Sequence, residues 1–205
     1  MPNLKTPKTA QSKETSNRIL TQAMRIFLEK GYHGTSIDDI TRSAGVTKGA
    51  LYWHFRSKED LLKKIVADFE RRFLDGLIQA VKDVQGNIRD KIEKYFRYNA
   101  AFSYYNRELC VSFTTLAAEL VGAHHGTEPE FKRIYKKYQK FLSTLILRGK
   151  KEKMFKKEID ADLAALTIIA FHDGILIRWF MNRDEIDGKA YVNTFKKIML
   201  HGLMA

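Results

Sequence analysis

Apolar side chains recur along this chain at spacings of three and four residues, the period of an amphipathic helix, from Ile19 to Leu203. Glycines and one proline punctuate the pattern at Gly31, Gly45, Gly86, Gly126 and Pro129. Between these breaks the spacing predicts a first helix over about Lys13–Lys30, with Ile19, Leu20, Ala23, Ile26 and Phe27 inward. Two short helices follow, Ser36–Ala44 and Thr47–Phe55, and then a long one from Ser57 to about Val84. Further helices are expected over Ile88–Tyr105, Arg107–His124, Phe131–Lys151, Asp160–Met181 and 190–204. The fold class is therefore all-α, in keeping with three prolines, two of them (Pro2 and Pro7) in the first seven residues. The first dozen residues show no period and read as a flexible basic tail.

The most informative stretch is Ser36–Leu62, SIDDITRSAGVTKGALYWHFRSKEDLL. Ser36 is a good N-cap, and Asp39 three residues on can complete a capping box. Ile37, Ile40 and Ala44 give the first short helix one apolar face, and Gly45 supplies the left-handed residue its end requires. Thr47 restarts the pattern as a second N-cap, with Leu51 and Phe55 as the buried stripe. The opposite face carries Lys48, Gly49, Tyr52, Trp53 and His54. An amine, a hydroxyl and an imidazole all reach phosphate oxygens, and Gly49 permits close backbone approach. Ser57 caps the next helix with Asp60, and Lys58 in its first turn is a candidate phosphate clamp. With Ile19, Ala23 and Phe27 from the first helix, Ile37, Ile40, Val46, Leu51 and Phe55 would close a small core. Such an arrangement is a helix-turn-helix whose second helix can enter a DNA major groove.

The runs T-S-I-D-D-I, A-G-V-T-K-G-A-L-Y-W-H-F and S-K-E-D-L-L closely resemble the DNA-binding domain of the TetR family of bacterial repressors. The resemblance is specific across about the first seventy residues and looser beyond. It implies a one-component sensor, in which a ligand in the C-terminal domain releases a dimeric repressor from a pseudo-palindromic double-stranded operator. It also implies that a shift of the long helix from Ser57 carries the signal. Ser36 and Arg42 join Thr47, Lys48, Gly49, Tyr52, Trp53, His54 and Lys58 as candidate DNA contacts. Tails of related repressors add contacts, so Lys5, Lys8 and Lys13 are candidates as well. The expected division is a tail (1–12), a DNA-binding domain (13–56) and a regulatory and dimerisation domain (57–205).

Charge agrees with a polyanionic partner. The net charge is +12, and residues 1–66 hold twelve Lys or Arg against six Asp or Glu. A single cysteine, Cys110, excludes an internal disulfide framework and suits a reducing cytoplasm. No apolar run is expected to approach membrane-spanning length, and no signal segment is expected at the start. The basic run of the seventh helix (Lys132, Arg133, Lys136, Lys137, Lys140, Arg148, Lys150, Lys151, Lys153) overlies a regular apolar stripe, so it reads as a solvated outer face.

The last two helices differ from the rest. The run Leu163–Phe180 is apolar nearly all round, which demands cover on every side, and a homodimer interface through the last two helices would provide it. Gly174 would let helices approach closely. The segment also resembles the penultimate, dimerising helix of TetR-type repressors. Helices five and six are richer in aromatic residues than one packed stripe needs, which points to a largely apolar cavity. Its candidate lining is Tyr98, Phe102, Cys110, Phe113 and Glu119, closed by Tyr138, Phe141, Phe171 and Arg178. His172 and Asp173 read as a satisfied polar pair in the core. Adjacent His124 and His125 make a poor metal pair, and no nucleotide, dinucleotide, nucleophile-elbow or zinc-protease motif occurs. No cofactor or metal is expected. Two alternatives stay open: a C-terminal domain that only dimerises or docks a partner, and a small helical enzyme.

Overall fold

The computed structural model describes residues 7–121, 125–182 and 184–204. Among these the regular structure is helical, apart from one isolated antiparallel bridge between Phe155 and Met204. The order is α1 (Pro7–Lys30), α2 (Ile37–Ala44), α3 (Lys48–His54), α4 (Lys58–Phe69), a π-helical turn (Glu70–Asp75), α5 (Gly76–Lys82), α6 (Ile88–Tyr105), α7 (Arg107–Leu120), α8 (Glu128–Lys151), α9 (Ala161–Met181) and α10 (Gly188–Leu203). Helix α1 starts at Pro7, six residues before the expected start at Lys13, so part of the expected tail is helical. Proline is tolerated in a first helical turn because its missing N–H has no partner there. Lys5 and His124 lie outside the described residues, as does the side chain of Lys8; Lys13 is exposed on α1.

The chain forms two compact units: Met1–Asp68 with Ser112–Glu130, and Phe69–Val111 with Phe131–Ala205. The two units adjoin in sequence at Asp68 and Phe69, and residues 112–120 of α7 belong to unit 1. In unit 1, α1 packs on α2 and α3. Ile19, Ala23, Phe27, Ile40, Leu51 and Phe55 are buried, while Ile37 and Val46 are partly covered. Each fully buried side chain of this size contributes about 1.5–3 kcal/mol. Gly45 adopts the left-handed conformation (φ 61°, ψ 42°), and its N–H bonds back to Thr41 and Arg42 carbonyls to end α2.

In unit 2, α5 packs on α6, and α10 on α6 and α9. The π-helical turn has identifiable supports. Tyr98 donates its hydroxyl hydrogen to the Arg72 carbonyl (2.8 Å), and Glu70 accepts from both Arg133 and Lys137. Those two cations hold the Glu70 carboxyl down at about 2. Much of the basic face of α8 is thus ion-paired or hydrogen-bonded: Lys137 also reaches Asp75, Arg148 pairs with Glu152, and Lys150 donates to the Ile159 carbonyl. Lys91 is buried and donates to the Val81 carbonyl in the last turn of α5 and to the Val84 carbonyl just after it, a cation where a helix C-terminus favours one.

Helix α9 is 21 residues long and contains an 18-residue stretch with a mean hydropathy of 1.5, and so is long and apolar enough to cross a bilayer. This corrects the expectation that no run approaches that length; His172, Asp173 and Arg178 interrupt the sequence without lowering its average enough. Asp173 accepts from Tyr135 (3.1 Å), and the His172 ring stacks on Phe73 (6.1 Å, 8°), which ties α9 into unit 2.

Candidate nucleic-acid interface and effector cavity

Unit 1 builds the first site from its caps outward. Ser36 caps α2 in a reciprocal box with Asp39, whose carboxyl is held far below its usual range by hydrogen bonds from Lys30 and Ser36. Thr47 caps α3 by accepting from the Ala50 N–H (3.1 Å). With Leu51 fully buried, the rest of α3 faces outward: Lys48 and Gly49 are exposed, Tyr52 is 52% exposed and Trp53 73%. Gly49 has open space in front of it, with Thr47 Oγ1 at 3.9 Å from where a Cβ would stand. His54 packs edge-on against Trp53 (4.5 Å). Lys48 pairs with Asp38 at 2.7 Å, both side chains exposed, and Arg42 is exposed on α2. Eight of the nine candidates therefore lie on α2 and α3 or at their caps.

Lys58 is the exception, in the first turn of α4. Its ammonium donates to the Tyr32 and Thr35 carbonyls (2.8 and 2.7 Å) and sits 4.4 Å above the Tyr32 ring. Burial lowers its pKa. These contacts tie it to the α1–α2 turn.

Unit 2 contains a cavity of about 730 Å³ walled by α6, α9, α10 and the segment before α10. Tyr95, Phe96, Tyr104, Trp179, Tyr191 and Phe195 supply aromatic surface, with Asn99, Ser103, Arg107, His172 and Lys189 as polar groups. Tyr104 and Trp179 are near-parallel (6.3 Å, 23°), and the Arg107 guanidinium lies 5.9 Å from the Trp179 ring. Burial pushes the His172 imidazole down to about 4, so it is neutral at pH 7. Asp187 points its carboxylate at the Lys189 and Ala190 N–H groups as the cap of α10, which leaves the basic side chains to dominate that wall.

None of the nine residues expected from the sequence lines this cavity. Phe113 and Glu119 belong to unit 1, where Phe113 is buried and Glu119 accepts from the Tyr32 and His33 N–H groups. Tyr98 is spent on the π-helical turn, and Phe102 packs between Phe73 and Tyr98. Tyr138 stands one layer behind the wall, bonded to Tyr95 and Asn99 in a buried network. Cys110 is buried, its thiol pushed up to about 12 by desolvation. Phe171 is 56% exposed and leans on Phe195, Phe141 is partly exposed, and Arg178 is exposed. The residues that do line the cavity carried weaker signals. Trp179 and Arg107 stand at helix ends, and Tyr104 and His172 show in the sequence only as aromatic density and a polar interruption.

A capped helix-turn-helix joined to a helical unit with its own cavity defines a DNA-binding transcriptional regulator. Residues 19–65 match the family described as bacterial regulatory proteins, tetR family, and residues 69–202 match the YsiA-like protein C-terminal region. The fatty acid metabolism regulator protein of Bacillus subtilis (strain 168) is 22% identical over 186 residues, covering 91% of this chain and 94% of that one. Among solved structures, the MbdR regulator from Azoarcus sp. CIB superposes with a TM-score of 0.84 at 25% identity, covering 93% of this chain and all (100%) of that one. FadR from Bacillus subtilis, solved in complex with stearoyl-CoA, gives 0.75 at 21% identity, covering 91% and 98%. The chain belongs to the TetR family of transcriptional regulators.

Proposed function

We propose that this regulator is a cytoplasmic repressor that binds a pseudo-palindromic operator as a homodimer and leaves it when an apolar effector fills the unit 2 cavity. The observation that carries the DNA reading is the outward face of α3. Tyr52 and Trp53 expose large aromatic surfaces beside Lys48, on a helix whose inner residue, Leu51, is fully buried. In this reading Thr47, Gly49 and Trp53 approach base edges, while Ser36, Arg42, Lys48, Tyr52 and His54 serve the phosphates. The exposed Lys48–Asp38 pair is readily exchanged for a phosphate, because an exposed ion pair is weakly held.

Dimerisation through α9 and α10 is supported by Leu163, Leu166, Phe171, Met181 and Ile198, which expose between 48% and 66% of their surface. Several large exposed apolar side chains on one pair of helices support an interaction surface. The cavity falls in the size range of small-molecule sites, and its aromatic walls with basic groups suit a long or flat apolar body with an acidic end. The stearoyl-CoA in the Bacillus subtilis FadR complex is one molecule of that chemistry. An electrophoretic shift with duplexes selected from a random library tests DNA binding. Adding long-chain acyl-CoA or aromatic carboxylates then tests release. A protein that selects no duplex, or stays bound in the presence of every such compound, refutes the corresponding half of the proposal.

A further inference from the structure

Helix α1 ends at Gly31 in the left-handed conformation (φ 73°). The turn that follows presents the N–H groups of Tyr32 and His33 in succession, and consecutive amides in such a turn form a concave anion-binding nest. The Glu119 carboxylate, from the last turn of α7, occupies it. Oε2 accepts from the Tyr32 N–H at 2.9 Å and Oε1 from the His33 N–H at 3.0 Å. The approach is tight, since a Cβ on Gly31 would stand 3.1 and 3.2 Å from the two oxygens.

The same turn gives its carbonyls to Lys58, as described above, and the buried Tyr32 ring also meets His125 edge-on at 4.8 Å. Thr35 closes the turn, its hydroxyl donating to the Gly31 carbonyl at 2.6 Å, and Ser36 begins the α2 cap directly after it. All of these groups lie within unit 1.

We propose that Glu119 is a positioning residue for operator binding: its carboxylate fixes the α1–α2 turn, and with it the angle at which α2 and its partner α3 are presented. This rests on the DNA-binding reading and extends it to a residue outside the helix-turn-helix. A carboxylate that bonds two successive amides resists rotation of the turn, whereas a single bond would leave a hinge. Gly31 contributes by providing both the left-handed bend and the space for the carboxylate. Helix α7 thereby holds the turn by its amides, while α4 holds it by its carbonyls.

The test uses the full chain, an operator duplex selected from a random library by the unmodified protein, and a scrambled duplex of the same length. Glu119→Ala is expected to weaken the selected operator by about tenfold in fluorescence anisotropy, with the scrambled duplex changed by less than about twofold, because non-specific affinity depends on phosphate contacts and not on helix angle. Hydrogen exchange at the Tyr32 and His33 amides should accelerate. Glu119→Gln retains one carbonyl acceptor and should fall between the unmodified and alanine proteins in both readouts. The proposal is overturned if Glu119→Ala keeps its operator affinity while those amides exchange freely. It is equally overturned if both duplexes weaken together and the glutamine variant is no better than alanine. Should the alanine variant fail to fold, the glutamine variant decides through its selected-to-scrambled ratio and amide exchange. Failure of the unmodified protein to enrich any duplex would instead refute the DNA-binding reading on which the proposal stands.

Discussion

Replacing Lys58 by methionine separates an internal tie from a DNA contact. Methionine keeps the length and apolar stem of the side chain but removes its two hydrogen bonds to Tyr32 and Thr35 and its position over the Tyr32 ring. Hydrogen bonds from a charged donor contribute about 1.5–3 kcal/mol each. The cation–ring contact adds about 0.5–1 kcal/mol. Against these stands the cost of desolvating the ammonium, which the lowered pKa of Lys58 already registers. The balance is a loss of roughly 2–3 kcal/mol, most of it from carbonyls left without a donor. For a chain of this size that corresponds to a fall in melting temperature of about 5–10 °C. Differential scanning fluorimetry measures the fall, and anisotropy titrations at several salt concentrations give the slope of log K against log salt. The slope should be unchanged, since no phosphate contact is lost. If instead the slope drops by about 1.8, one phosphate contact from each protomer of the dimer, and the melting temperature stays put, Lys58 is a phosphate contact and the tie is refuted.

Trp53→Ala should weaken a selected operator by at least about tenfold while leaving the melting temperature within about 1 °C, because a side chain 73% exposed supports little of the fold; a large drop in melting temperature contradicts this. Glu70 has a folded pKa lowered to about 2 by Arg133 and Lys137, so its stabilisation is complete above its unfolded value and fades as pH falls towards 2. Thermal melts of Glu70→Gln should therefore converge on those of the unmodified protein with acidification, and parallel curves would count against the cluster. His172 is held neutral with a pKa of about 4, so below its unfolded value near 6.5 the unfolded chain binds the extra proton and stability falls as pH drops towards 4. His172→Phe should flatten that part of the stability–pH curve, and an unaltered slope would show that another group titrates there. Leu166→Glu places a charge on the apolar face of α9, where Leu166 is 48% exposed, and sedimentation should show a shift from dimer to monomer; an unchanged dimer would move the interface elsewhere.

Local chemistry makes much of unit 1 legible from residue order alone. Ser36, Thr47 and Gly45 mark helix ends through bonds made within three or four residues, so type and order locate them. The helical period likewise dictates which residues of α1, α2 and α3 turn inward, and the outward residues of α3 follow by exclusion. Helix α6 runs over the expected Ile88–Tyr105 because Asn87 and Asp90 form a capping box and Gly86 breaks the preceding period.

What the sequence could not determine depends on groups distant along the chain. Lys58 and Glu119 are both plausible ligands of an anion or of an effector when read alone, yet they converge on one turn from 23 and 86 residues away. The cavity escaped for a related reason. Periodicity states which side chains leave the water, but a cavity is the space that several helices fail to fill, and that depends on how their side chains interdigitate. Tyr138 is inward as the period requires, Tyr98 and Phe102 are partly covered, and each is consumed by a neighbour, whereas Trp179 and Arg107 reach the void from helix ends where the period carries no information. The sequence by itself determined the helices, their caps and the outward face of α3, because those rest on contacts within a turn or two. Tertiary structure alone decided which charged groups are internal ties and where unit 2 stays hollow, because both depend on packing between elements far apart in the chain.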